Sequence, residues 1–164
     1  MIFPSGSDPS QTDKGAGPLH GLGVLLISLI CSCSLIEAAL TLSDFDVFGT
    51  IPLRRIVFAY TAFWPGLLDG WQPNFPLQSL IMFISYGFMH AGLVHLIVNM
   101  MALLSLAPPA INRVGAYSAT LIYFGAMVGG GLAYALLSDA DTPMVGARGA
   151  LFGLAGALIV WDLS

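Results

Sequence analysis

Gly87-Phe88-Met89-His90-Ala91-Gly92-Leu93-Val94-His95-Leu96-Ile97-Val98-Asn99-Met100 is an apolar stretch that carries two histidines and an asparagine. Polar side chains are costly in hydrocarbon and tend to face a bundle interior or a watery cavity. At about 100° per residue on a helix, His95 and Asn99 differ by only about 40° and share a face. His90, one and a half turns earlier, lies about 140° from His95. His95 with Asn99 is therefore the pair that chemistry would use.

Three roles suit that pair. A zinc site prefers histidines at i and i+4 with a carboxylate nearby, and this stretch has a five-residue spacing and no acid. Interhelical hydrogen bonds from His and Asn can hold a bundle together, each contributing on the order of 1 kcal/mol. A neutral imidazole and a carboxamide one turn apart can also both donate to a developing oxyanion. The spacing leaves the second and third roles open, and no metal or cofactor is expected.

The surrounding chain says which solvent this stretch inhabits. Hydrophobic residues make up 57% of the sequence and charged residues 9%, and the mean hydropathy is +0.85, far above ordinary soluble domains. The expectation is an all-α integral membrane protein, with the lipid bilayer as its first partner. A net charge of −4 with only five Lys and Arg leaves no basic stripe to follow a phosphate backbone, so nucleic acid is excluded as a partner. Cys31 and Cys33, two apart in an apolar run, read as small buried hydrophobes.

Residues 1–20, rich in Gly, Pro, Ser, Asp and Thr, read as a disordered tail. Gly21 to Leu42 is long enough to cross roughly 30 Å of hydrocarbon and reads as the first span. Glu37 falls near its end, where a carboxylate can reach interfacial water, and no partner for it is evident. Residues 43–87 mix prolines and charges with Trp64, Trp71 and Tyr60, which suits a large first loop folded in the membrane interface. A second span covers about 88–107 and is ended by Pro108-Pro109. A third covers about 116–137, with Gly125 and Gly129 to Gly131 as a small-residue packing face. A fourth covers about 147–163. Residues 21–164 thus form one membrane domain.

A second motif follows about fifty residues after the first: Gly146-Ala147-Arg148-Gly149-Ala150-Leu151-Phe152-Gly153. Glycines at a helix start let another chain approach the backbone beside free N–H groups. Gly149, Gly153 and Ala157 recur every four residues as a helix-packing seam. Together, in this order, the two motifs resemble the rhomboid family of intramembrane serine proteases. The resemblance implies a rhomboid-like helical bundle, a cytoplasmic amino terminus and transmembrane substrates. In that family a serine at the start of the fourth helix, between glycines, works with a histidine on the sixth. By position His95 and Asn99 match the oxyanion-stabilising residues, while His90, Gly146 and Gly149 match the active-site wall.

Arg148 stands at the family's nucleophile position. A guanidinium stays protonated and is no nucleophile. Ser105 and Ser138 lack flanking glycines. The chain also stops at the fourth span, so the bundle is expected to be truncated to four transmembrane helices without the fifth and sixth. Arg148 opposes the dipole at its helix amino terminus, and Asp139 or Asp141 is expected to compensate it. The first functional expectation is a proteolytically inactive member, a pseudoprotease or remnant that binds transmembrane clients, self-associates or takes complementing helices from another chain. The second is an active endopeptidase whose sequence is here incomplete or altered. The third, of another class, is a channel or transporter fragment using His90, His95 and Asn99 as a polar path.

Overall fold

A computed structural model describes residues 18–138 and 141–163. Among them the regular structure is helical: α1 (Pro18–Asp44), α2 (Leu53–Thr61), α3 (Gln78–Ser85), α4 (Leu93–Leu137) and α5 (Arg148–Leu163), with short 3-10 turns at Pro65–Leu68 and Tyr86–Phe88. Most of the tail expected over residues 1–20 lies outside the described residues, and α1 already begins at Pro18.

Leu26–Asp44 and Leu93–Leu137 are both long and apolar enough to cross a membrane, with mean hydropathies of 1.9 and 1.7. Only 33% and 39% of those windows are buried. A soluble core helix would hide most of its apolar surface, whereas here Leu35, Val94, Ile97, Met101, Leu121 and Leu136 remain exposed. Such bands suit a lipid surround. α5 has 16 residues.

α4 folds back on itself. Pro108 and Pro109 lie inside the helix, and the break falls instead at Gly115, with φ 82 and ψ 160. The prolines do not end the helix because Ala107, Ala110 and Ile111 are buried and packing carries the helix past them. The positive φ at residue 115 is a conformation that glycine adopts without steric cost. Leu103, Ala107 and Ile111 from residues 93–114 share a small cavity with Ala119 and Tyr123 from residues 116–137, together with Leu26, Leu29 and Leu154. A straight helix would hold Leu103 and Tyr123 about 30 Å apart, so the two arms return alongside each other between α1 and α5.

Small residues set the closeness of the second arm and α5. A methyl added at Gly130 would lie 2.9 Å from the Gly149 Cα, and one at Gly153 would collide with Ala126. The expected seam is thus in contact at Gly149 and Gly153. Gly131 faces the rings of Phe63 and Phe83, while Gly125 and Gly129 face open space. At the far end, Arg113 donates to the Trp161 carbonyl at 2.7 Å and lies 3.6 Å from Asp162. A cation there suits the negative end of the α5 dipole.

The large first loop is folded by side chains that bond to backbone. Gln78 and Asn74 both donate to the Ala59 carbonyl, at 2.7 and 3.0 Å. Ser85 donates to the Thr61 carbonyl at 2.7 Å, and Trp64 to the Phe58 carbonyl at 2.9 Å. Phe63 and Met144 then exchange two backbone hydrogen bonds, 3.0 and 2.9 Å. That short antiparallel pair ties the loop to the strand-like segment leading into α5.

Candidate functional site

Backbone geometry assembles the site before any side chain does. The Phe63 to Met144 pair and a hydrogen bond from the Gly146 N–H to the Tyr86 carbonyl, 2.9 Å, fix the approach to α5. Gly146 sits at φ +103. A methyl there would stand 2.7 Å from the His95 ring and 3.1 Å from Asn99 Nδ2. A glycine at 146 is therefore required twice, by its backbone angle and by the side chains pressed against it.

His95, Asn99 and Gly146 thus meet; the helical spacing anticipates only that the first two share a face. His95 and Asn99 line a cleft of about 700 Å³ at one end of the bundle, with Thr41, Asp44, Arg54 and Arg148 around its rim. Asn99 is buried, and Asn99 Nδ2 and His95 Nε2 are both shielded from solvent without a hydrogen-bond partner. The Ala91 N–H donates to His95 Nδ1 at 3.3 Å. A neutral imidazole that accepts at Nδ1 carries its proton on Nε2. Both orphaned atoms are therefore donors. Beside them α5 begins at Arg148, and its first-turn N–H groups have no partner within the helix.

The remaining wall residues stand elsewhere. His90 is not on the helix with His95: it lies in the turn before α4, whose first residue is Leu93. The helical angle drawn between them therefore does not apply. The Gly92 φ of 131 reverses the chain and sets the His90 ring edge-on behind His95, with centroids 5.3 Å apart. Gly149 faces away from the cleft toward Gly130 and the Tyr86 hydroxyl, and lines a neighbouring groove with Gly146 and Phe152. Among the described residues no three His, Cys, Asp or Glu side chains gather as metal ligands would.

The expectation for Glu37 needs correction. It does not reach interfacial water but is fully buried, and its partner is Arg54. The guanidinium donates to both Glu37 carboxylate oxygens, at 3.0 and 2.9 Å. Its Nε donates to Asp44 at 2.7 Å, and its other N–H groups reach the His90 carbonyl at 2.9 Å and the Thr41 hydroxyl at 3.4 Å. All five donors of an arginine are used. The bonds to Glu37 raise the Arg54 pKa, outweighing the opposite pull of burial. This clamp joins α1, α2 and the turn carrying His90. Its sequence signal was an acid in an apolar span together with an unpaired cation in the following loop.

Arg148 shows the reverse. It is exposed, and no hydrogen bond or ion pair joins it to a described residue. Asp141 does not compensate it, because the segment between them is held by the Phe63 pairing; Asp139 lies outside the described residues.

The fold and this cleft define a helical integral membrane protein with hydrogen-bond donors gathered at one end. The Rhomboid domain family matches residues 77–164, more than half of the chain. A Bacillus subtilis (strain 168) protein named "Putative rhomboid protease YdcA" is 34% identical over 113 residues, 69% of this chain and 54% of that relative. The chain belongs to the rhomboid family. It spans about half the length of the curated relative it matches. No solved structure matches it.

Proposed function

We propose that this chain is a rhomboid pseudoprotease, a membrane scaffold that binds transmembrane segments without cleaving them. The observation that carries the reading is Arg148, which the resemblance puts at the family's nucleophile position, on the cleft where His95, Asn99 and Gly146 come together. Acyl transfer needs an atom that attacks and forms the acyl bond. The cleft's one hydroxyl, Thr41, is bound to Glu37 at 3.0 Å. Ser105 is turned into its own helix, donating to the Met101 carbonyl at 2.9 Å. In this reading α1, both arms of α4 and α5 each cross the bilayer, with the amino terminus cytoplasmic.

A second reading, an active endopeptidase altered at residue 148, draws on the unpaired donors of His95 and Asn99, which are what an oxyanion wall keeps ready. A cleavage assay in liposomes with a transmembrane substrate separates the two, comparing the chain with Arg148→Ser. Pseudoproteolysis predicts no cleavage by the unmodified chain and client capture that survives the substitution. Cleavage by the unmodified chain sinks it.

A further inference from the structure

Among the described residues that line the cleft, the buried side-chain atoms without a partner are both donors. Asn99 Nδ2 and His95 Nε2 are shielded and unpartnered, α5 begins at Arg148 on the same cleft, and the Arg148 guanidinium is bound to no described residue. The one carboxylate on the rim, Asp44, is held by Arg54 Nε at 2.7 Å, and that ion pair removes its charge from competition. A set of donors without acceptors selects an anion with several oxygen acceptors, and a guanidinium at a helix N-terminus favours phosphate.

The surroundings of Arg148 say what carries that phosphate. From it a groove of about 250 Å³ runs along the seam between α4 and α5, lined by Val98, Ala102, Leu106, Leu151, Phe152 and Ala155. Val98 and Phe152 are exposed at its edge. A cationic head site continuous with an apolar groove matches a charged headgroup on an acyl chain. A free inorganic ion would use only the first half.

We propose that the cleft binds an anionic phospholipid, its phosphate on Arg148 and the Asn99 and His95 donors and an acyl chain in the groove between α4 and α5. The substitution that removes the nucleophile thereby makes a headgroup receptor. This inference rests on the reading of Arg148 as the resident of a site without chemistry, but it is read out by binding alone. Cleavage by the unmodified chain would sink that reading and leave the lipid result standing.

The test uses the whole chain in a neutral maltoside detergent. Dioleoylphosphatidylglycerol, dioleoylphosphatidylcholine and inorganic phosphate are each titrated, with retained lipid counted by native mass spectrometry. Phosphatidylglycerol binds more tightly than phosphatidylcholine, and Arg148→Ala weakens it about tenfold or more. Arg148→Lys retains most of the affinity, and Arg55→Ala, outside the cleft, leaves it unchanged. Asn99→Leu weakens it as well. Phosphatidylglycerol affinity unmoved by Arg148→Ala or Asn99→Leu overturns the site. Displacement of the lipid by equimolar inorganic phosphate overturns the lipid as ligand. Because Arg148 is exposed, its substitution removes charge without emptying the core.

Discussion

Two arginines border the same cleft and have opposite surroundings. Arg54 makes five hydrogen bonds to four residues, two of them to a fully buried carboxylate. Arg148 has none among the described residues. Burying a charge is tolerable only when it is paired and hydrogen-bonded, so Arg54 belongs to the fold. An exposed cation without a protein partner is open to a ligand, and in the proposed reading Arg148 serves whatever enters the cleft. The same side chain is a structural clamp on one wall and an open receptor on the other.

Removing Arg54 should break this contrast most severely. Arg54→Met leaves the Glu37 carboxyl without its partner in the interior, a loss of about 3–5 kcal/mol, read as a lower unfolding midpoint in detergent. It also frees the His90 carbonyl. Pairing it with Glu37→Leu should restore much of the loss, because the orphaned carboxyl is gone. A single substitution costing less than about 1 kcal/mol would mean that the clamp is not structural.

Gly146→Ala comes next. The methyl requires an unfavourable backbone at φ +103 and presses on His95 at 2.7 Å. The expected loss is about 1–3 kcal/mol, with perturbation of the His95 imidazole resonances in an NMR spectrum. An unshifted His95 signal would separate the glycine from the donor wall.

These two substitutions also mark what the sequence could and could not reveal. His95, Asn99 and Gly146 were legible because helical spacing puts the first two on one face and a glycine motif marks the helix start. The Gly149 and Gly153 seam was legible for the same reason, a repeat of four along one helix. The Glu37 to Arg54 pair was not, because its partners lie 17 residues apart across a turn and no periodicity relates them. Pro108-Pro109 predict an earlier end to the helix than the structure has. Local proline chemistry was outweighed by burial of Ala107, Ala110 and Ile111, and the break moved to the first residue free to take a positive φ. Within the loop, α2 was invisible for want of an apolar face that ends up buried.

Tyr86→Phe probes the join between the walls more gently. The buried hydroxyl donates to the Met127 carbonyl at 2.7 Å and lies against Gly149. Losing that bond should cost about 1 kcal/mol, a shift of a few degrees in the thermal midpoint. A neutral result would show that packing of Gly130 on Gly149 alone sets the distance between α4 and α5.

Arg148→Ser carries the smallest expected effect and the opposite sign. The guanidinium sits at the positive end of the α5 dipole with no carboxylate among the described residues to offset it, an arrangement that destabilises by about 0.3–1 kcal/mol. Serine is a good residue for the start of a helix and fills little space, so the unfolding midpoint should rise slightly as the lipid affinity falls. Stability and binding would then move in opposite directions at one residue. That is the mark of a side chain held for a ligand at the expense of its helix. A fall in stability comparable to that of Arg54→Met would make Arg148 a second clamp, and the contrast between the two walls would disappear.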